Sequence, residues 1–327
     1  MSESVGTRDS RPEPNPPDPN RDTRSVSLYL LPIVICPLLL LTSAFFLVPT
    51  QWFALHSGNT YLANLGYGAT LSGQNCQILI YGDSSAMVGV APSLLRQRTG
   101  LTACNIAEFA GMTVISHTLL VDTFLQRNPR PRYLVFLFTP EDLSIPRNWA
   151  SANVGTFEAI SFRLEHARNL QTALLLGAHP SDTFGWAEQG LRLALERFRS
   201  EPMPSANAHL RESFAGQLPV NGATLTECST ILYNRPPDPI WIDQLRSRYA
   251  VDGTTVLVDA TPTADCDPNL AFFQSHLNGV IDNAPYRPIP ISSFIDNGRL
   301  HANQSGVRLI SEMIATQIAA GQKPGGR

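Results

Sequence analysis

The chain has 327 residues, 43% of them hydrophobic and 16% charged, with a formal net charge of −3. That is length for one large domain with appendages, and apolar material for a sizeable core. The near-neutral balance excludes the strongly basic surface of a nucleic-acid binder, and the cations are nearly all Arg, with Lys323 the single Lys.

Residues 1–25 are polar and rich in Pro, above all from Pro12 to Pro19. They cannot bury enough surface to fold and read as a disordered tail. Leu28 to Val48 is an apolar run broken only by Thr42 and Ser43. As a helix rising ~1.5 Å per residue it reaches roughly 31 Å, the thickness of a bilayer core. Residues 26–49 are therefore expected to form one transmembrane helix, with Pro32 and Pro37 tolerable inside it. A cleaved signal peptide and a buried core helix are the alternatives. Arg8, Arg11, Arg21 and Arg24 precede the run, and no Lys or Arg follows it until Arg96. The positive-inside rule then puts the tail in the cytoplasm and the rest outside, periplasmic in a bacterium, with Trp52 and Phe53 at the outer interface.

Residues 50–75 read as a Gly/Asn-rich juxtamembrane lead-in. Beyond it, apolar runs and helical periodicity alternate. Cys76–Tyr81 reads as a strand, Ala91–Arg98 as a helix stopped by Gly100, Thr102–Ala107 as a strand and Val114–Gln126 as a helix. Tyr133–Phe138 is continuously apolar and so a strand buried on both faces. This alternation is the signature of a parallel sheet flanked by helices. The rhythm lapses from about 146 to 239, which reads as an insertion beside the sheet. Within it Leu170–Gly177 and Trp186–Phe198 read as helices, the second with Leu191, Leu195 and Phe198 on a core-facing side. Ile240–Tyr249, Leu270–Leu277 and Gly306–Ala319 then read as helices, and Thr254–Val258 as a strand.

Of five cysteines, Cys36 falls in the apolar run and four fall beyond it. In an exported, oxidising compartment four cysteines allow three pairings. Cys76 and Cys104 start the first two predicted strands and can be neighbours, which leaves Cys228 with Cys266. A zinc site is the weaker alternative, because no Cys-x-x-Cys spacing exists and no His is adjacent. No metal is expected. His117, His166, His179, His209 and His276 lack ligand spacing, and the adjacent Glu141 and Asp142 rarely converge on one ion.

The segment that carries chemistry is Ile78-Leu-Ile-Tyr-Gly82-Asp83-Ser84-Ser85, an apolar strand ending in Gly-Asp-Ser. A serine on a strand-to-helix turn and a distant histidine, His301 before the closing helix, are the parts of a nucleophile and its base. Gly82 is expected to let the chain turn sharply and leave backbone amides facing an oxyanion. Asp83 organises the turn. The bland alternative is an ordinary Asp/Ser helix cap.

With Asn105-Ile-Ala-Glu108-Phe-Ala-Gly111 after the second strand and Asp296 to Gly306 around His301, the chain resembles the SGNH (GDSL-type) hydrolase superfamily over roughly residues 76–315. The resemblance implies a three-layer α/β fold with a parallel sheet over 76–320. It implies Ser84 as nucleophile, His301 as base, Asp296 as orienter, and the Ser84 and Gly111 amides as oxyanion donors. Asp83, Asn105 and Glu141 would line the site, and no cofactor would be needed. Two blocks depart from the pattern. Thr139-Pro-Glu141-Asp142 stands where Gly-x-Asn-Asp is usual, so Glu141 replaces an oxyanion-donating Asn. Gly298 stands where Asp usually precedes His by three, which leaves Asp296 at five, or Asp259 at a strand end.

With its anchor, the chain looks most like extracytoplasmic members that modify exported polysaccharides. The expected function is serine-dependent acyl transfer, ester hydrolysis or O-acetyl transfer, on a carbohydrate polymer, with a membrane-bound acyl-donor protein as a partner. The competing reading is a non-catalytic SGNH-like domain that binds polysaccharide or scaffolds an export complex.

Overall fold

The computed structural model describes residues 32–33, 35–36, 38–109, 118–144, 157–203, 227–233, 235–251, 253–295 and 301–322. The chain divides into two compact units, 1–43 and 44–327. In the first, residues 38–43 are helical, and Leu38, Leu39 and Leu40 are each more than half exposed. Leu28–Leu31, Val34 and Pro37 of the predicted span, like the polar tail, lie outside the described residues. Among the described residues no helix is long and apolar enough to cross a membrane.

The second unit opens with helical residues 44–47 and then folds the stretch expected to be a lead-in. Helices α1 (Gln51–His56) and α2 (Thr60–Thr70) fill it, N-capped by Thr50 and Asn59, whose side chains accept from Phe53 N and Leu62 N. Such caps satisfy amides that a helix start leaves orphaned. Helix α2 buries Leu62, Ala63 and Leu65, so apolar packing overrides its Gly content.

The core is a four-stranded, wholly parallel sheet in the order β2-β1-β3-β4. Its strands are β1 (Ile78–Gly82), β2 (Ala103–Asn105), β3 (Tyr133–Phe138) and β4 (Thr255–Ala260). β1 and β3 are buried along their whole length, as strands covered on both faces must be. Side chains alternate across the sheet. Ile78, Ile80, Tyr133, Val135 and Leu137 join a core completed by Leu95 of α4 (Pro92–Thr99) and Ile310, Ile314 and Ile318 of the closing helix (Gln304–Gln322). On the other face Phe136 and Phe138 meet Tyr249 and Trp241, each pair at 5.3 Å between ring centroids. Those partners belong to α9 (Pro239–Tyr249). Tyr249 in turn donates its hydroxyl to Asp122 at 2.7 Å on α5 (Leu119–Arg127). Helix, sheet and helix thus form three layers.

Between α5 and α9 the inserted region supplies α6 (Phe157–His166), α7 (Leu170–Ala178) and α8 (Pro180–Glu196). α6 was not legible as a helix, because Glu158 and Arg163 interrupt its apolar pattern. Both are nonetheless buried, with Glu158 accepting from Asn59 Nδ2 at 2.6 Å and Arg163 Nε donating to Thr172 at 2.9 Å. α8 starts earlier than expected and corrects its predicted face. It buries Trp186, Ala187, Gly190 and Leu193, while Leu195 is 87% exposed. The side at Gly190 wins because it admits Val48, whose Cγ2 would lie 2.4 Å from any added Cβ.

Cys76 bonds Cys104 and Cys228 bonds Cys266, with Cα separations of 5.6 and 5.9 Å. The first ties the approach to β1 to β2. The second ties the end of the inserted region to the loop after β4.

Candidate active site

β1 connects to β2 on one side, whereas β3 connects onward to β4 on the other, so the direction of winding reverses between β1 and β3. In open α/β sheets such a switch point leaves a crevice beyond the carboxyl ends of the strands, where ligands bind. Gly82 ends β1 and Phe138 ends β3. Ser84 is the first residue of α3 (Ser84–Gly89) and stands at this crevice.

Gly82 has a different task from the expected one. It is an ordinary strand residue, but a Cβ on it would sit 1.7 Å from the Leu137 carbonyl oxygen. β1 and β3 can close at their carboxyl ends only if this residue has no side chain. Gly306 does the same for the histidine, since a Cβ there would come within 2.4 Å of the Ser293 carbonyl oxygen.

Asp83 is 1% exposed and caps α3. One carboxylate oxygen accepts from Ser85 N at 2.8 Å and from Ser85 Oγ, and the other from Thr139 N at 2.6 Å. Ser85 Oγ also lies 3.1 Å from Thr261 Oγ1. The side chains beside the nucleophile thus join the ends of β1, β3 and β4, and Asp83 is a brace. Asp142 completes it. Burial raises the Asp142 pKa well above the usual carboxylate range, helped by the charge of Asp83, a side-chain hydrogen bond with it, and the charge of Glu141. Burial and the neighbouring carboxylates both disfavour the ionised form of Asp142. Sequence reasoning missed this role. Asp142 reads as half of an acidic pair, and only the fold brings it to Asp83.

Ser84 and His301 meet. His301 Nε2 and Ser84 Oγ are 3.1 Å apart across 217 residues of sequence, within reach of a nucleophile–base hydrogen bond. Both are half-buried, so the pair remains open to a ligand. His301 is fixed by its backbone. Its carbonyl accepts from Ile295 N at 3.0 Å, and the next residue, Ala302, bridges Phe294 in antiparallel fashion. Asn303 then accepts from Ser305 N and Gly306 N at 2.9 and 3.2 Å, capping the closing helix.

The other expected site residues divide. Asn105 does not line the crevice. It is fully buried, its Nδ2 donating to Ala86 O at 2.9 Å and Val90 O at 3.1 Å while Oδ1 accepts from Ala107 N at 2.9 Å. It holds the far end of α3, and so the pose of Ser84, from β2. Glu141 turns both carboxylate oxygens into buried surroundings, where its charge also raises the Tyr286 pKa behind the dominant effect of burial. Asp259 accepts from Gln317 Nε2 at 3.2 Å on the closing helix and is fully buried. Burial lifts its pKa to about 7. Gly111 and Asp296, with His117 and His209, lie outside the described residues. The rings of His166 and His276 lie tilted against Phe162 and Phe272 at 4.3 and 4.2 Å between centroids, and His179 lies 3.8 Å from Asp182. Among the described residues no three His, Cys, Asp or Glu side chains stand together as a metal site requires.

No family model, characterised protein or solved structure matches the chain.

Proposed function

We propose that the chain is a serine acyl-transfer enzyme, an SGNH-like esterase or O-acyltransferase. It is held at the membrane by Leu28–Val48 and acts outside the cytoplasm on acyl esters of an exported carbohydrate. The observation that carries this reading is the 3.1 Å approach of His301 Nε2 to Ser84 Oγ at the switch point of a parallel sheet.

The chemistry follows from the pair. His301 takes the hydroxyl proton as Ser84 Oγ bonds to the acyl carbon and the carbonyl π electrons move to its oxygen. The Ser84 amide opens α3 and is among the N–H groups that a helix start leaves without an intrahelical partner. It suits the oxyanion, with Gly111 as the second donor. Collapse expels the alcohol, which takes the proton from His301. Water or a sugar hydroxyl then gives its proton to His301 and attacks the acyl-serine, and Ser84 is restored. A membrane-bound acyl-donor protein suits the transferase route. Asp296 is the orienter in this scheme.

The test is acetyl release from an aryl acetate and from an O-acetylated polysaccharide by the full chain. Both should be lost in Ser84→Ala. One observation favours a second reading, a polysaccharide-binding or scaffolding domain without catalysis. Glu141 occupies the place of an oxyanion-donating Asn, and one lost donor costs on the order of 10²–10³ in rate. Polysaccharide binding that survives in Ser84→Ala, with no acyl transfer by the unaltered chain, would establish that reading.

A further inference from the structure

Helix α7 presents apolar residues where a soluble helix presents polar ones. Thr172, Leu175 and Leu176 are buried against the protein. Leu170, Ala173, Leu174, Gly177 and Ala178 form the opposite stripe, at i, i+3, i+4, i+7 and i+8, and all five are exposed. Leu170 and Leu174 are 75% and 65% exposed, and no charged residue occurs from Leu170 to Ala178. Gln171 is the one exposed polar side chain of the helix, and a helix apolar on its outward as well as its inward side belongs in a core or against a membrane.

Beside this stripe lies a cavity of about 680 Å³, within the ~300–1,000 Å³ range of sites that take small molecules. Leu176, Leu164 and Phe184 are among its apolar walls, and Arg168 stands at it. Arg168 Nε donates to Leu164 O at 2.7 Å. One further wall identifies the occupant. Phe45 lines the cavity and stands three residues before Val48, the end of the apolar run. At ~1.5 Å of rise per residue it lies within about 5 Å, along the helix, of that end. If the run spans the bilayer, the cavity wall lies at the level of the membrane surface. Phe46, 71% exposed, and Trp52, 55% exposed, occupy the same stretch. Aromatic residues gather at that depth, and an Arg can meet lipid phosphate there.

We propose that the outward stripe of α7 and the adjoining cavity rest in the outer interface of the bilayer, covered by phospholipid acyl chains, with Arg168 toward the headgroup phosphates. The domain would then sit on the membrane, and not at the end of a free tether. This rests on the anchor reading above and is separable from it by experiment.

The test labels single cysteines of the full chain with an environment-sensitive nitrobenzoxadiazole in phosphatidylcholine/phosphatidylglycerol nanodiscs. The native Cys36 reports the anchor. Leu174→Cys and Asp243→Cys, each in a Cys36→Ser background, report α7 and an exposed site on α9. Residue 174 is exposed, so its replacement leaves the core intact. Nitroxide-labelled acyl chains should quench the labels at 36 and 174 severalfold more than at 243, and aqueous iodide should do the reverse. A label at 174 that iodide quenches while lipid nitroxide still quenches position 36 overturns the proposal and leaves the anchor standing. Protection of 174 from both quenchers means that a protein, such as a second copy, covers the stripe, and also overturns it. Failure of lipid quenching at both 36 and 174 removes the anchor reading and the proposal together.

Discussion

Ser84 and His301 act as one unit in the proposed mechanism, and that has a kinetic signature. Ser84→Ala and His301→Ala should each lower acyl transfer by ~10³-fold or more, and the double variant should be no worse than either. Additive losses in initial-rate assays would mean that the residues do not cooperate. Glu141 gives a second contrast. Its carboxylate oxygens are buried, so Glu141→Asn should change the rate by less than about tenfold. A rise near 10²-fold would show that position 141 does face the oxyanion. The pair was legible in sequence because a nucleophile on a strand-to-helix turn needs a short, fixed pattern. The brace beneath it was not. Asp142 set beside Asp83, and Asn105 bonded to α3, depend on approaches between residues far apart in the chain, and their side chains look like ordinary loop and strand-end residues.

The elements that position the pair depend on close approach and on one buried carboxyl group. Gly82→Ala would force β1 from the Leu137 carbonyl, and overpacking of this kind costs on the order of 3 kcal/mol. A lower thermal midpoint together with lost activity is expected, and a variant with unchanged stability would contradict the packing described. Asp259 links β4 to the closing helix. Its folded pKa of about 7 stands above the ordinary value of 3.8, so the folded state holds the proton more tightly than the unfolded chain. The stabilisation is full below the unfolded value, falls as pH rises, and is gone above about 7. From about pH 5 to about pH 8 the loss is on the order of 3 kcal/mol. Asp259→Asn should flatten that decline, measured as thermal midpoints at the two pH values. An unchanged slope would place the dependence elsewhere. Strands and regular helices were readable from their periodicity, Tyr133–Phe138 most directly. α6 and the face of α8 were not. Buried polar partners and the small residue Gly190 decide those, and a scan for apolar periods cannot register either.

For the whole molecule, the anchor, the compartment and the two disulfides stand or fall together. The proposed placement of the domain outside rests on the asymmetry of Arg residues about Leu28–Val48, and both cysteine pairs form bonds in the fold. A reporter active only outside the cytoplasm, fused after Arg327, should be active, and non-reducing peptide mapping of cellular protein should recover Cys76–Cys104 and Cys228–Cys266. Four free thiols would contradict the compartment. The pairing was accessible from sequence because Cys76 stands just before β1 and Cys104 lies in β2, its parallel neighbour. The folding of residues 50–75 into α1 and α2 was obscured by their Gly and Asn content, although Thr50 and Asn59 stand as caps.

The central claim concerns the reactivity of one hydroxyl in the intact chain. A fluorophosphonate probe modifies a serine that a neighbouring base has activated and spares ordinary ones. Full-length protein treated with the probe, digested and mapped should carry the adduct on Ser84. Labelling should disappear in Ser84→Ala and fall sharply in His301→Ala. Absence of an adduct at Ser84 in folded protein, or labelling that survives the loss of His301 unchanged, would contradict the nucleophile–base assignment.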